Sequence, residues 1–304
     1  MTAATSPRVP RPVRRRSTSR QTQVTRLLPN GVRAAVIAIL CFLVVVPLAY
    51  MVFGSLNSDL GVAQGDFFPT DFTWDNYAKI WTTVGLGNGI MNSIIIAGTT
   101  AIISAVLGVI TAYVLVRFTF LGRVTILRSL LGLQSIPGTL MLLPLFVVFS
   151  SASTYLGITV VGTRWGLMLT YLTFTLPFST WVMVTYLRGL PHELEEAARI
   201  DGASNIRTLA SIILPLSWPG IVVSGIFAFL LGWNDVLFAS VLTNPDTQTV
   251  AIALQVFGAA QEGVGLPLYG QMMAASLVSA APVVLLYLVL QRYLLSGLTS
   301  GGVK

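Results

Sequence analysis

Acidic and basic side chains are set closely together at Glu193, Glu195, Glu196, Arg199 and Asp201, within the run from Pro191 to Gly202, in a sequence where only 10 % of 304 residues are charged. Carboxylates and an arginine at helical spacing can pair with each other or offer charges to another protein. They are not a catalytic set. His192 is the sole histidine and Cys41 the sole cysteine, so no disulfide, cysteine metal site or Ser/His/Asp arrangement is expected within the chain. His192, beside Pro191, reads better as a solvated helix-start residue than as a metal ligand or base. The phosphate-cradling pattern G-x-x-x-x-G-K-[ST] does not occur, so no ATP hydrolysis by this chain is expected.

The elements that must position these charges follow from local chemistry. Tyr186-Leu187-Arg188 closes an apolar run. Pro191 suits a first helical position, where its missing N–H would be unpaired anyway. Glu193, Glu195 and Glu196 then fill the first turns, where the helix dipole favours anions. Glu195 precedes Arg199 by four residues, an orientation that predicts an exposed helical ion pair worth about 0.3–0.5 kcal/mol. Asp201-Gly202 reads as a stop, because glycine accepts the left-handed conformation that closes a helix. Ser204 or Asn205 can cap a second helix carrying Ile206, Leu209, Ile212 and Ile213. Pro215 and Pro219 are expected to end that helix and let the next apolar run begin. The expected product, over residues 189–215, is two short helices with a sharp turn, exposing Ala197, Ala198 and Gly202 to close approach and Glu196 as a charge for a partner's arginine.

The surrounding sequence is membrane material. Apolar residues are 54 % and charged residues 10 %, against about 25 % charged in a soluble domain. No charge occurs from Ala34 to Ser58, Ile80 to Val116, Ser129 to Thr163, Trp165 to Leu187, Thr208 to Asn234, or Gly263 to Gln291. Each run can supply the roughly 20 residues of a spanning helix. Period-two alternation is absent, which argues against a barrel. The expected fold class is therefore an all-α integral membrane protein with six transmembrane helices, near 33–55, 89–116, 124–150, 165–187, 218–242 and 270–294. On this topology 16 of the 18 Lys and Arg residues fall on one side, and only Lys79 and Arg164 on the other. That split predicts both termini and the Glu196 loop in the cytoplasm. The net charge of +7 then reports membrane topology, and no nucleic-acid partner is expected.

Residues 1–32 are rich in Pro, Arg, Ser and Thr, a composition that cannot bury enough surface to fold, so a disordered basic cytoplasmic tail is expected. Arg14-Arg15-Arg16 suggests an export signal, but the long apolar segment from Ala34 has no convincing cleavage pattern after it. A topogenic role suits the tail better than anionic-lipid contact.

The spacing E-A-A-x3-G-x9-I-x-L-P, carried by Glu196, Ala197, Ala198, Gly202, Ile212, Leu214 and Pro215, resembles the EAA loop of the membrane subunits of bacterial ATP-binding-cassette (ABC) importers. Asn92-Ser93, Ala112-Tyr113, Arg117-Phe118, Trp233-Asn234-Asp235, Gln291-Arg292-Tyr293 and Gly297-Leu298-Thr299-Ser300-Gly301 resemble the carbohydrate-uptake permeases of the maltose-transporter inner-subunit type. The likeness runs from about residue 34 to 304. It implies a type I importer permease fold in a bacterial inner membrane, a second related permease, two cytoplasmic ATPase subunits that bind ATP and Mg, an extracytoplasmic solute-binding protein, and a di- or oligosaccharide as cargo. No cofactor is implied for this chain. The resemblance also implies ATPase coupling through Glu195, Glu196, Ala197, Ala198, Asp201, Gly202 and Pro215.

Polar residues in or near the spans are candidates for the translocation pathway: Asn92, Gln134, Ser135, Trp233, Asn234 and Asp235. Intramembrane acids usually face a cavity or a partner, yet Asp235 reads slightly better as a helix-end acid at the interface, with Asn244-Pro245-Asp246 following soon. Thr100, Ser104, Gly108 and Ala112, flanked by Ala97, Ala101 and Ala105, form a small-residue stripe suited to tight packing or to sliding. Pro137, Gly138 and Pro144 interrupt the third span, and breaks at bilayer depth are tolerated where protein or a cavity surrounds them. The loops 56–88 and 243–268 are expected to be polar docking segments. A glycerol-phosphate importer would want cationic residues in the spans, and an ion-coupled secondary transporter would want paired intramembrane acids. The spans offer neither.

Overall fold

The computed structural model describes residues 29–263 and 265–300, with side chains up to residue 293. The expected tail lies outside the described residues as far as residue 28, and residues 30–32 already belong to the first helix. All regular elements among the described residues are helical. In chain order they are α1 Asn30–Ser55, α2 Asp59–Ala63, α3 Asp75–Thr83, α4 Leu86–Arg117, α5 Arg123–Gln134, α6 Gly138–Leu156, α7 Arg164–Arg188, α8 Glu193–Ile200, α9 Asn205–Thr208, a π-turn Leu209–Ile213, α10 Leu214–Asn234, α11 Leu237–Leu242, α12 Val250–Ala260 and α13 Tyr269–Ser300. Among the described residues, six stretches are long and apolar enough to cross a membrane: α1, α4, α6, α7, the continuous helix Asn205–Asn234, and α13.

Two compact units divide at Tyr50 and Met51. The described part of the first unit is residues 29–50, of which 30–50 belong to α1, a continuous apolar helix through Pro47. The second unit is built on α4, α7 and α10, which pack on one another, with α13 against α10 and α12 against α4. The small-residue stripe explains this core. Ala97, Ala101, Ser104, Ala105, Gly108 and Ala112 are all buried on α4. A Cβ on Gly108 would stand 2.9 Å from Ser179 Cβ on α7, so only glycine lets the two backbones approach this closely. Four residues away, the hydroxyls of Ser104 and Ser179 share a hydrogen bond of 2.9 Å. Gly220 plays the same part for α10, where a Cβ would meet the Tyr186 ring at 2.9 Å.

Several expected boundaries are corrected. The span placed at 124–150 is two helices, α5 and α6, separated at Ser135–Pro137 because the proline cannot continue the ladder. Only α6 is long and apolar enough to cross a membrane. Pro215 and Pro219 end nothing, since the helix runs unbroken from Asn205 to Asn234. The π-turn at Leu209–Ile213 stands just before Pro215 and rearranges the carbonyls that a proline leaves unpaired. The span placed at 218–242 instead stops at Asn234, and α11 follows as a separate short helix. The segment 243–268 is not simply polar, because it contains α12, which buries Val250, Ile252, Ala253 and Phe257.

Candidate functional site: the Glu193–Pro215 segment

Leu187 and Met183 at the end of α7, Val109, Ala112, Tyr113 and Leu115 on α4 and Ile213 after α9 share one hydrophobic cluster. The charged segment is mounted on that cluster. His192 precedes α8, and Glu193, Glu195 and Glu196 occupy its first turn, as the dipole argument requires. Its end is a Schellman motif: Ala203 N–H donates to Ala198 O at 2.9 Å and Gly202 N–H to Arg199 O at 3.0 Å. Gly202 holds φ +79°, a left-handed conformation that side chains disfavour. Ser204 then caps α9, its hydroxyl accepting from Arg207 N–H at 3.3 Å.

The helix shows two different faces. Glu195 and Ala198 are buried, while Glu196, Ala197, Asp201, Gly202 and Pro215 are exposed. Ile200 and Ile206, on either side of the glycine turn, are 87 % and 80 % exposed. An exposed apolar pair beside exposed carboxylates is a surface suited to a protein partner.

The expected ion pair of Glu195 with Arg199 is corrected. Glu195 pairs with Arg117, the last residue of α4, and both side chains are almost fully buried, at 4 % and 2 % exposure. The Arg117 Nε–H does not point along the contact, so charge and not an aligned hydrogen bond holds these two atoms. The rest of the guanidinium is engaged as well. Nη2 donates to Leu187 O at 3.3 Å. Nη1 donates to His192 Nε2 at 2.9 Å, which leaves the imidazole proton on Nδ1, since an arginine can only donate. His192 therefore joins a side-chain network and is more than a solvated start residue. Tyr113, one turn earlier on α4, donates to Asn205 O at 3.4 Å.

The candidate pathway residues are scattered. Asn92 is buried near the start of α4. Its amide donates to Asp246 O and Gln248 O at 3.0 and 2.9 Å, and its carbonyl accepts from Arg164 Nε at 2.7 Å. Trp233 is 4 % exposed and stacks on Phe229 with centroids 5.3 Å apart. Asn234 is exposed and donates to Leu230 O at 2.9 Å. Asp235 Oδ2 accepts from Phe238 N–H, Ala239 N–H and the Tyr171 hydroxyl at 3.1, 3.0 and 2.9 Å, so it caps α11 against α7. Gln134 and Ser135 are exposed at the break between α5 and α6. The structure does not bring these six together. Among the described residues, no group of three or more His, Cys, Asp or Glu stands as a metal set. The partners of Arg117 and Asn92 escape sequence reading because each lies 70 or more residues away.

The chain resembles known proteins over most of its length. Residues 104–300 match the family described as "Binding-protein-dependent transport system inner membrane component". Over 261 residues the chain is 33 % identical to the permease protein of the diacetylchitobiose uptake system of Streptomyces coelicolor, covering 85 % of this chain and 84 % of that protein. Over 275 residues it is 33 % identical to the trehalose/maltose transport system permease of Thermococcus litoralis, covering 89 % and 94 %. Among solved structures, a chain of a bacterial ABC transporter that imports the acidic polysaccharide alginate superposes with a TM-score of 0.75 at 20 % identity, covering 90 % of this chain and 98 % of that one. At that identity the likeness establishes the fold alone.

Proposed function

The chain belongs to the family of binding-protein-dependent transport system inner membrane components, and from that premise we propose that it is the permease subunit of an importer for a di- or oligosaccharide. It forms half of the translocation pathway, with a second related permease as the other half. Two cytoplasmic ATPase subunits bind ATP and Mg, and an extracytoplasmic binding protein delivers the sugar. The relatives named for diacetylchitobiose and for trehalose/maltose support a sugar as cargo. Both termini and the 189–215 segment lie on the cytoplasmic side, in keeping with the 16-to-2 distribution of basic residues.

The observation that carries the reading is the two-faced helix α8. Its buried face is joined to α4 through Glu195 and Arg117, Arg117 in turn bonds Leu187 O at the end of α7, and the exposed face of α8 presents Glu196, Ala197 and the Gly202 turn with Ile200 and Ile206. A partner that grips this surface moves the ends of two core helices with it. ATP binding draws the coupling segment with the ATPase, the spans re-pack from inward-open to outward-open, and hydrolysis resets them. In this scheme Asn92, Trp233 and Asp235 fix the helices that border the pathway, and Gln134, Ser135 and Asn234, which are exposed, are left to line it.

The test is ATPase activity of the chain co-expressed with its neighbouring ATPase and binding protein, with and without a panel of sugars. Sugar-dependent stimulation is expected. A chain that purifies alone, captures no ATPase and moves solute along an ion gradient overturns the reading. Glu196→Lys and Gly202→Asp are expected to insert normally and to abolish coupled uptake. Normal transport by either would remove the segment from the mechanism.

A further inference from the structure

Two adjacent glutamates, Glu195 and Glu196, stand in the first turn of α8, and the structure treats them oppositely. One is sealed against Arg117 and the other is in solvent. Successive residues of a helix point about 100° apart, so only one of the two can face the core in any rotational register. The apolar residues of α8 do not settle which. Ala198 is buried, but it is small, and Leu194 and Ile200 are 41 % and 87 % exposed. What favours one register is a fixed positive charge in an otherwise apolar setting. The guanidinium of Arg117 is positioned by Leu187 O and His192 Nε2, and its Nε is left for a carboxylate. A buried charge without its counter-ion is strongly disfavoured, so α8 must turn whichever glutamate meets it inward.

We propose that Arg117 is a positioning residue that pins the rotational register of α8 by capturing Glu195, and thereby presents Glu196, Ala197 and the Gly202 turn outward to the ATPase. The inference rests on the importer reading for its consequence but not for its geometry. Buried polar pairs that set register are a known use of an interaction that adds little net stability. In Glu195→Gln the unpaired Arg117 draws Glu196 inward, and the outward face rolls away from the partner. In Arg117→Met the register loses its pin. In the double variant Arg117→Met/Glu195→Leu an apolar side chain at 195 meets an apolar side chain at 117, and the original register returns without any charge.

The experiment reads register directly, in membranes containing the full chain with Cys41→Ser. Single cysteines are placed at Ala197 and Ala198 and labelled with an aqueous maleimide. Thiol labelling follows exposure, and the rate at position 197 is expected to exceed that at 198 by about tenfold. That contrast is expected to collapse in Glu195→Gln and in Arg117→Met, to persist in Arg117→Lys, and to return in the double variant. Stimulation of ATPase by loaded binding protein is expected to follow the same order. An unchanged contrast in either single variant overturns the proposal. So does a double variant that restores neither labelling nor stimulation, because the pair would then serve something other than register. The labelling needs no ATPase. Failure of the wild-type complex to show stimulated hydrolysis would therefore count against the importer reading, and the register result would stand by itself.

Discussion

Helix α4 ends in two polar anchors that solve similar problems differently. Near its start, Asn92 ties three distant pieces together with a neutral amide. It donates twice to backbone carbonyls of the 243–249 segment and accepts once from Arg164. At its end, about 37 Å away at helical rise, Arg117 ties α7 and α8 with a charge, and its main partner is itself a charged side chain. The NH2 group of the amide is held by two backbone carbonyls, which cannot rotate away, so it behaves as a static brace. The ion pair joins side chains, and its strength depends on which carboxylate is present and in which rotation. A neutral brace suits the end where the fold must simply close. A charge suits the end where one face of a short helix has to be chosen over another.

The comparison can be broken by removing each anchor and measuring resistance to unfolding in mixed detergent micelles. Glu195→Ala/Glu196→Ala removes both carboxylates that could meet Arg117, strands a buried guanidinium and is expected to have the largest effect, a destabilisation of about 3–5 kcal/mol. Asn92→Ala leaves two carbonyls and an arginine short of partners and is expected to cost about 1–3 kcal/mol, with no change in the labelling of α8. If Asn92→Ala disturbs α8 as much as Glu195→Ala/Glu196→Ala does, the two ends are not independent. Ser104→Ala, in the middle of α4, removes one interhelical hydrogen bond and is expected to cost about 0.6 kcal/mol. Lys79→Ala removes an exposed pair with Asp75, whose side chains are 55 % and 70 % exposed, and is expected to leave stability unchanged within error.

Much of the architecture was legible because its causes are local. A charge-free run of more than 20 residues has few alternatives to a spanning helix, and α4, α7 and α13 lie close to where those runs place them. The Gly202 turn and the Ser204 cap follow from residue chemistry, and the Schellman bonds appear where the glycine predicts them. The failures also have local reasons. Pro215 reads as a terminator, but the π-turn before it lets the helix continue. The break after Asn234 has no glycine or proline to announce it, and only Asp235, three residues ahead of Phe238, hints that a new helix is being capped. The Glu195–Arg199 spacing is favourable within an isolated helix, yet that pair would be worth a few tenths of a kcal/mol in water and yields to a fully charged partner in the interior.

The sequence by itself determined that this is a multi-span helical membrane protein with a polar two-helix segment, because hydropathy, charge distribution and turn chemistry act over neighbouring residues. Only the tertiary structure decided which glutamate faces inward, which arginine holds it, and that Asn92, Trp233 and Asp235 serve as internal fastenings. Those outcomes depend on groups brought together from more than 60 residues apart, where the cost of an unpaired buried charge or amide outweighs any preference that can be read along the chain.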